Sequence, residues 1–142
     1  MPIGQLIAGG GGGGGMTTAP GVVTTEPITK GMAVALLPTG YELCSAISHA
    51  LQFTGFAMTT AVAGETLALT AGRGSIITPC VENDVPLVPE QSVYLSLTPG
   101  CVTQEFPPVG DTVDGVAVVL VPLGFAISTT QMVLITDARF GG

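Results

Sequence analysis

The chain has 142 residues, a length for one domain, or one domain plus an arm. Only 9% of them are charged, against roughly 25% in an ordinary soluble domain, and 10 acidic residues against 3 basic ones leave a net charge of −7. So few charges exclude a charge-solvated disordered chain, 21 glycines with 11 prolines exclude a helical bundle or coiled coil, and the acidic balance argues against binding phosphate backbones or anionic lipid.

The chain opens on Met1-Pro2-Ile3-Gly4-Gln5, without the basic segment of a secretory signal, so production in a cytoplasm is expected. Gly9 to Gly15 is an unbroken run of seven glycines, which has no side chains to bury and the largest backbone entropy to lose. Such a run is expected to be ordered only against another chain. The alternative is a flexible linker. Residues 1–25 are therefore read as an extended glycine-rich arm, with Ile3, Leu6, Ile7, Val22 and Val23 as candidate partner-binding anchors on either side of the glycines.

Residues 26–142 are read as a single all-β domain. Val and Thr are abundant and turn residues recur every several positions. Strands are predicted over Met32–Leu37, Phe53–Thr59, Thr66–Thr70, Ser75–Thr78, Ser92–Leu97, Thr112–Val121, Phe125–Ser128 and Met132–Thr136. Turns are expected at Pro38-Thr39-Gly40, Ala63-Gly64-Glu65, Ala71 to Gly74, Thr98-Pro99-Gly100 and Pro107 to Asp111. One stretch departs from this texture. Leu43, Ala46, Ile47, Ala50 and Leu51 follow the i, i+3, i+4 stripe, so a short helix or an irregular crossover is expected near 43–51. The longest apolar run, Val116 to Ile127, is broken by Pro122 and Gly124 and falls short of the ~20 residues that span a bilayer, so no membrane partner is expected.

The most informative feature is an internal repeat. Thr54-Gly55-Phe56-Ala57-Met58-Thr59-Thr60 recurs as Leu123-Gly124-Phe125-Ala126-Ile127-Ser128-Thr129. A strand follows each copy (Leu67 to Arg73, Val133 to Arg139), and a strand ending in a Pro/Thr-Gly turn precedes each (Ala35 to Gly40, Leu95 to Gly100). The offsets are 60, 69 and 66 residues. Two related β-meander halves closing on one another give a small barrel or sandwich.

Chemistry is sparse. The glycine run satisfies glycine-spaced motifs trivially, but no Gly-Lys-Ser/Thr follows it, so it is no phosphate loop. Cys44, His49 and Glu42 could be imagined as nucleophile, base and orienting acid. A five-residue spacing does not put thiol and imidazole on one helix face, however, and the structural reading is preferred. Cys44, Cys80 and Cys101 are widely spaced and read as small buried hydrophobes. The acidic groups Glu82, Asp84, Glu90 and Asp111, Asp114 lack the pattern of a calcium loop and read as solvated loop charges. With no Trp, neither sugar- nor base-stacking is indicated. No catalytic residue, cofactor, metal or nucleic-acid partner is expected.

The stretch Val93-Tyr94-Leu95-Ser96-Leu97-Thr98-Pro99-Gly100-Cys101-Val102-Thr103, with Gly124 to Thr130 and Val133-Leu134-Ile135, resembles small virion structural proteins of tailed bacteriophages. Gly55-Phe56-Ala57 and Ala63 to Leu69 are similar to the corresponding segment of capsid decoration (cement) proteins. The resemblance covers residues 31–137 and does not extend to the polyglycine arm. It implies a compact β-barrel that sits as a homotrimer on the outer surface of the phage head and stabilises the shell by bridging subunits of the major capsid protein. The same strand texture also occurs in phage tail modules (tube, baseplate or fibre), which is the alternative reading. The acidic net charge suits an outer surface rather than a DNA-lined interior.

Overall fold

The computed structural model describes residues 16–17, 22–70, 72–106, 108 and 110–135. Among these residues twelve short strands are present: β1 Met16–Thr17, β2 Ala33–Leu37, β3 Gly40–Leu43, β4 Phe53–Ala57, β5 Leu69–Thr70, β6 Ile76–Ile77, β7 Ser92–Leu95, β8 Val102–Thr103, β9 Thr112–Val113, β10 Val116–Ala117, β11 Pro122–Ala126 and β12 Met132–Leu134. They form two five-stranded antiparallel sheets, ordered β1-β5-β4-β2-β3 and β6-β12-β11-β7-β8, and the separate hairpin β9-β10. The fold is all-β and sandwich-like, with no closed barrel.

The two sheets are the same structure built twice. Taking β1 to β5 against β6, β7, β8, β11 and β12, both sheets have one topology, and the registers agree residue by residue. Ala33 and Val34 pair with Phe56 and Gly55 as Ser92 and Val93 pair with Phe125 and Gly124. The next pairs, Ala35 with Phe53 and Tyr94 with Pro122, each follow a β-bulge that leaves Thr54 or Leu123 unopposed. On the far side, Phe56–Thr70–Met16 corresponds to Phe125–Val133–Ile76. Parallel bridges Thr24–Tyr41 and Val81–Val102 repeat as well. Even the approach to the sheet is copied: Gly31 N–H donates to Ala57 O, and Glu90 N–H donates to Ala126 O, each from a left-handed residue (φ 93° and 74°).

These registers give offsets of 59 for β2/β7, 69 for β4/β11 and 63 for β5/β12. The middle offset is the one read from sequence. The last differs from 66 because Leu69 and Met132, both buried, are the true equivalents, and the Leu67-to-Val133 alignment would exchange buried and outward positions.

Each bulge puts an extra residue between two positions that face the same way, so side chains three apart share a face. Phe53 and Phe56 thus lie together, with ring centroids 5.5 Å apart in an edge-to-face pair. This outer face of the first sheet (Ala33, Ala35, Phe53, Phe56) joins the inner face of the second (Val93, Leu95, Val102, Leu123, Ala126, Met132, Leu134) in the main core. The halves are stitched by backbone hydrogen bonds. Ala33 N–H donates to Gly100 O at 2.9 Å, Gly100 N–H to Cys44 O at 2.8 Å, and Ala46 N–H to Ser96 O at 2.8 Å. The inner face of the first sheet (Val34, Tyr41, Ala57, Leu69) is sealed separately by Ile28, Ala61 and Leu67. The two β-branch connections explain the difference, because residues 58–68 join β4 to β5 whereas only 127–131 join β11 to β12. The longer loop folds over its own sheet, held where Thr24 Oγ1 donates to Val62 O at 2.9 Å and Ile28 and Ala61 exchange backbone bonds at 2.9 Å.

One open alternative is resolved and two local expectations need correction. The stretch 43–51 is an irregular crossover and holds no α-helix: β3 runs to Leu43, Ser45 and Ser48 close a tight bridge, and only Ala50–Gln52 makes a 3-10 turn. The apolar stripe there was coincidental, since Leu51 is 61% exposed. Thr112–Val121 is not one strand but a hairpin whose Asp114 and Gly115 both take positive φ, the signature of a tight two-residue turn. Residues 16–17 and 22–25, assigned to the arm, include positions that pair with the body: Met16 with Thr70, Thr17 with Leu69, Val23 with Thr66.

Candidate functional site

The Cys44–His49–Glu42 grouping is real in space but wrongly arranged for nucleophilic catalysis. His49, left-handed at φ 59°, turns its Nε2 to Glu42 Oε1 at 3.5 Å, while Cys44 Sγ donates to the His49 carbonyl oxygen at 3.2 Å. The thiol therefore meets a backbone acceptor and not the imidazole. Burial pushes it up to about 12, so it stays protonated at neutral pH.

Of the other two cysteines, Cys101 is buried, as expected of a small hydrophobe, and Cys80 is half-buried. Cys80 and Cys101 come together across the second half, Sγ to Sγ 2.7 Å, beside the bridge in which Val102 N–H donates to Cys80 O at 2.8 Å. Burial, then the neighbouring Cys80, push the Cys101 thiol up to about 12. Both are free thiols. Of the loop acids, Glu82 accepts from the Ser96 hydroxyl, and among the described residues no three His, Cys, Asp or Glu side chains gather around a common metal position. Of the arm anchors, Ile3, Leu6 and Ile7 lie outside the described residues. Val22 packs against the cluster that seals the first sheet, and Val23 accepts from Tyr41 N–H at 3.0 Å, so both serve the body itself.

The feature that stands out is a surface. The outer face of the second sheet is the counterpart of the face that carries Phe53 and Phe56, but no sheet of the described chain covers it. Its cross-strand row Phe125–Val133–Ile76 is registered by direct pairing, with Phe125 39% and Ile76 60% exposed. The next row is Pro122–Tyr94–Thr103, and Phe106, 67% exposed, stands edge-on to Tyr94 with centroids 5.4 Å apart. Ile127 and Ile135 extend the same side at 41% and 45% exposure. No strand residue of this face is an acid or a base of the Asp, Glu, Lys, Arg or His type. Contiguous exposed apolar surface of this kind marks an interaction site. Sequence reasoning missed it because the alternation in β11 and β12 reads as apolar on both sides, which signals burial without naming the partner.

Among the described residues no helix is long and apolar enough to cross a membrane. Compared with known proteins, the chain matches no family model, no curated protein and no solved structure.

Proposed function

We propose that the chain is a structural protein of a tailed-phage virion: a decoration protein that trimerises on the outside of the head and stabilises the shell by bridging major capsid subunits. The reading is supported by the residues similar to decoration proteins and by a body that offers an uncharged apolar sheet face. The single observation that carries it is that face, because a protein whose task is to hold subunits together needs adhesive surface and no chemistry. The glycine-rich arm expected from the sequence is proposed to reach a coat subunit, its heptaglycine suiting close backbone approach and the addition of a strand to a neighbouring sheet. Three such arms on one trimer act multivalently, so each contact can be weak.

The test is made on particles. Heads assembled without this protein are expected to lose genome at lower temperature than complete heads and to recover resistance when the purified protein is added back. Image reconstruction is expected to place it at local three-folds of the head. Full heat and pressure resistance in its absence, or its location on the tail, refutes the proposal.

A further inference from the structure

We propose that the outer face of the second sheet, centred on Ile76, Phe125 and Tyr94, is where copies of this chain meet, each face packing against the same face of its neighbours around the symmetry axis.

The duplication identifies the kind of occupant. In the first half the equivalent positions Ala33, Ala35, Phe53 and Phe56 are buried to 1% exposure or less, and what buries them is a β-sheet of this same sequence family, the second half. The second half presents the matching face, in the same register and with the same bulge, without a cover. The chain thus contains one filled and one unfilled version of a single contact.

Which surface of another copy can fill it follows from what is already covered. The inner face of the second sheet is taken by the first sheet, and the inner face of the first is sealed by the 58–68 loop through Ala61 and Leu67. A head-to-tail repetition of the internal contact would need one of these, so it is blocked. The sheet face left open in a neighbour, among the described residues, is the same outer face of its second sheet. Equivalent faces meeting about an axis give a closed assembly. Such a contact also suits the electrostatics. Each chain carries −7, and copies repel over roughly a Debye length of ~10 Å. They approach at least cost through a face whose strands carry no charged residue.

The number of copies rests on the functional reading above, which expects three; the location of the contact does not. Full-length protein is measured by sedimentation equilibrium and light scattering, with Ile76→Asp and Phe125→Asp as test variants. Val62→Asp, at 57% exposure on the sealing loop close to the 60% of Ile76, is the control. Both test positions are solvent-accessible in the isolated chain, so the variants retain the far-ultraviolet spectrum of the parent. Placing a carboxylate in the contact weakens association by on the order of 100-fold or more, dispersing the oligomer to monomers while Val62→Asp stays assembled. A parent of three copies dispersed in this way supports both the face and the trimer. A parent of two copies so dispersed supports the face and overturns the trimer. A monomeric parent, or test variants as associated as the control, overturns the face, and in the latter case a parent mass of three copies leaves the trimer standing.

Discussion

Phe56 and Phe125 occupy the same place in the two copies of the repeat, each opposite the β2- or β7-type strand one step from a bulge, yet one is 1% and the other 39% exposed. Their truncation to alanine is therefore a controlled pair: same residue, same strand position, different cover. Removing a fully buried phenylalanine costs roughly 3–5 kcal/mol, because the transfer energy is lost and a cavity remains. Phe56 is near the top of that range, since it packs edge-to-face with Phe53 at 5.5 Å, an arrangement worth about 1 kcal/mol beyond its area. Phe125→Ala in the dissociated chain leaves no cavity and costs less than about 1 kcal/mol. The gap of about 4 kcal/mol moves the urea midpoint by about 2 M for a slope of about 2 kcal/mol per M. The chain has no tryptophan, so unfolding is followed by circular dichroism and by tyrosine emission, for which Tyr41 and Tyr94 report one sheet each. Dilute protein isolates the intrinsic cost. Raising the concentration should stabilise the parent but not Phe125→Ala, because association adds to apparent stability by mass action. Equal costs for the two substitutions in dilute protein would refute the assignment of one covered and one open face.

Other outcomes follow from single contacts. Oxidised glutathione should convert Cys80 and Cys101 into an intramolecular disulfide with release of two reduced glutathiones, faster as pH rises because Cys101 is held protonated up to about 12. Peptide mapping would locate it, and closing the loop should raise stability by about 3 kcal/mol. Cys44 should resist iodoacetamide at pH 8 in the folded chain and react once urea exposes it, since its thiolate fraction there is on the order of one in ten thousand. Gly124→Ala should cost about 2–3 kcal/mol, because the new Cβ would fall on the Val133 carbonyl oxygen and force the β11–β12 ladder apart. Gly64→Ala, at φ +91° with open space around it, should cost only about 1 kcal/mol of backbone strain, and thermal melts of the two rank them.

The duplication was legible because Gly55-Phe56-Ala57 and Gly124-Phe125-Ala126 sit at a constrained place. At Gly124 the missing side chain leaves room for the Val133 carbonyl of the neighbouring strand, and the alanine packs inward in both copies. The flanking strands are two to five residues of common β-formers, so sequence similarity alone slid β5 against β12 by three positions. Only pairing, which fixes which side chains face inward, settles such a slip. Strands β3 and β8 were hidden for a related reason: Gly40–Leu43 follows its turn directly, and its last residue also begins the misleading helical stripe. The Cys80–Cys101 contact joins residues 21 apart through a parallel bridge that no local pattern announces. Least legible was the open face. Whether a β-sheet of this repeat is covered depends on the neighbouring half and on the length of one loop, and neither is encoded in the strand that bears the face.

The low charge of the chain acquires a location on this view. Among the described residues, Glu42 is the one charged group that stands within a strand, and it is engaged with His49. The second sheet carries none, on either side. An antiparallel sheet with one solvated face ordinarily alternates apolar with polar residues, and outward strand positions accept lysine, glutamate or threonine at little cost. The outer row of the second sheet holds Ile76, Val133, Phe125, Pro122 and Tyr94 instead, with Ser92 and Thr103 as its polar members. Outward charges are also what keep sheet surfaces from adhering, so their absence from this face leaves it adhesive. The first half solves the same problem with its Phe53–Phe56 face by burying it within the chain. The second half has the same architecture and no remaining segment among the described residues to do so. A copy of the chain, which supplies a face of matching shape and equal lack of charge, is the partner that completes the pattern already present once inside it.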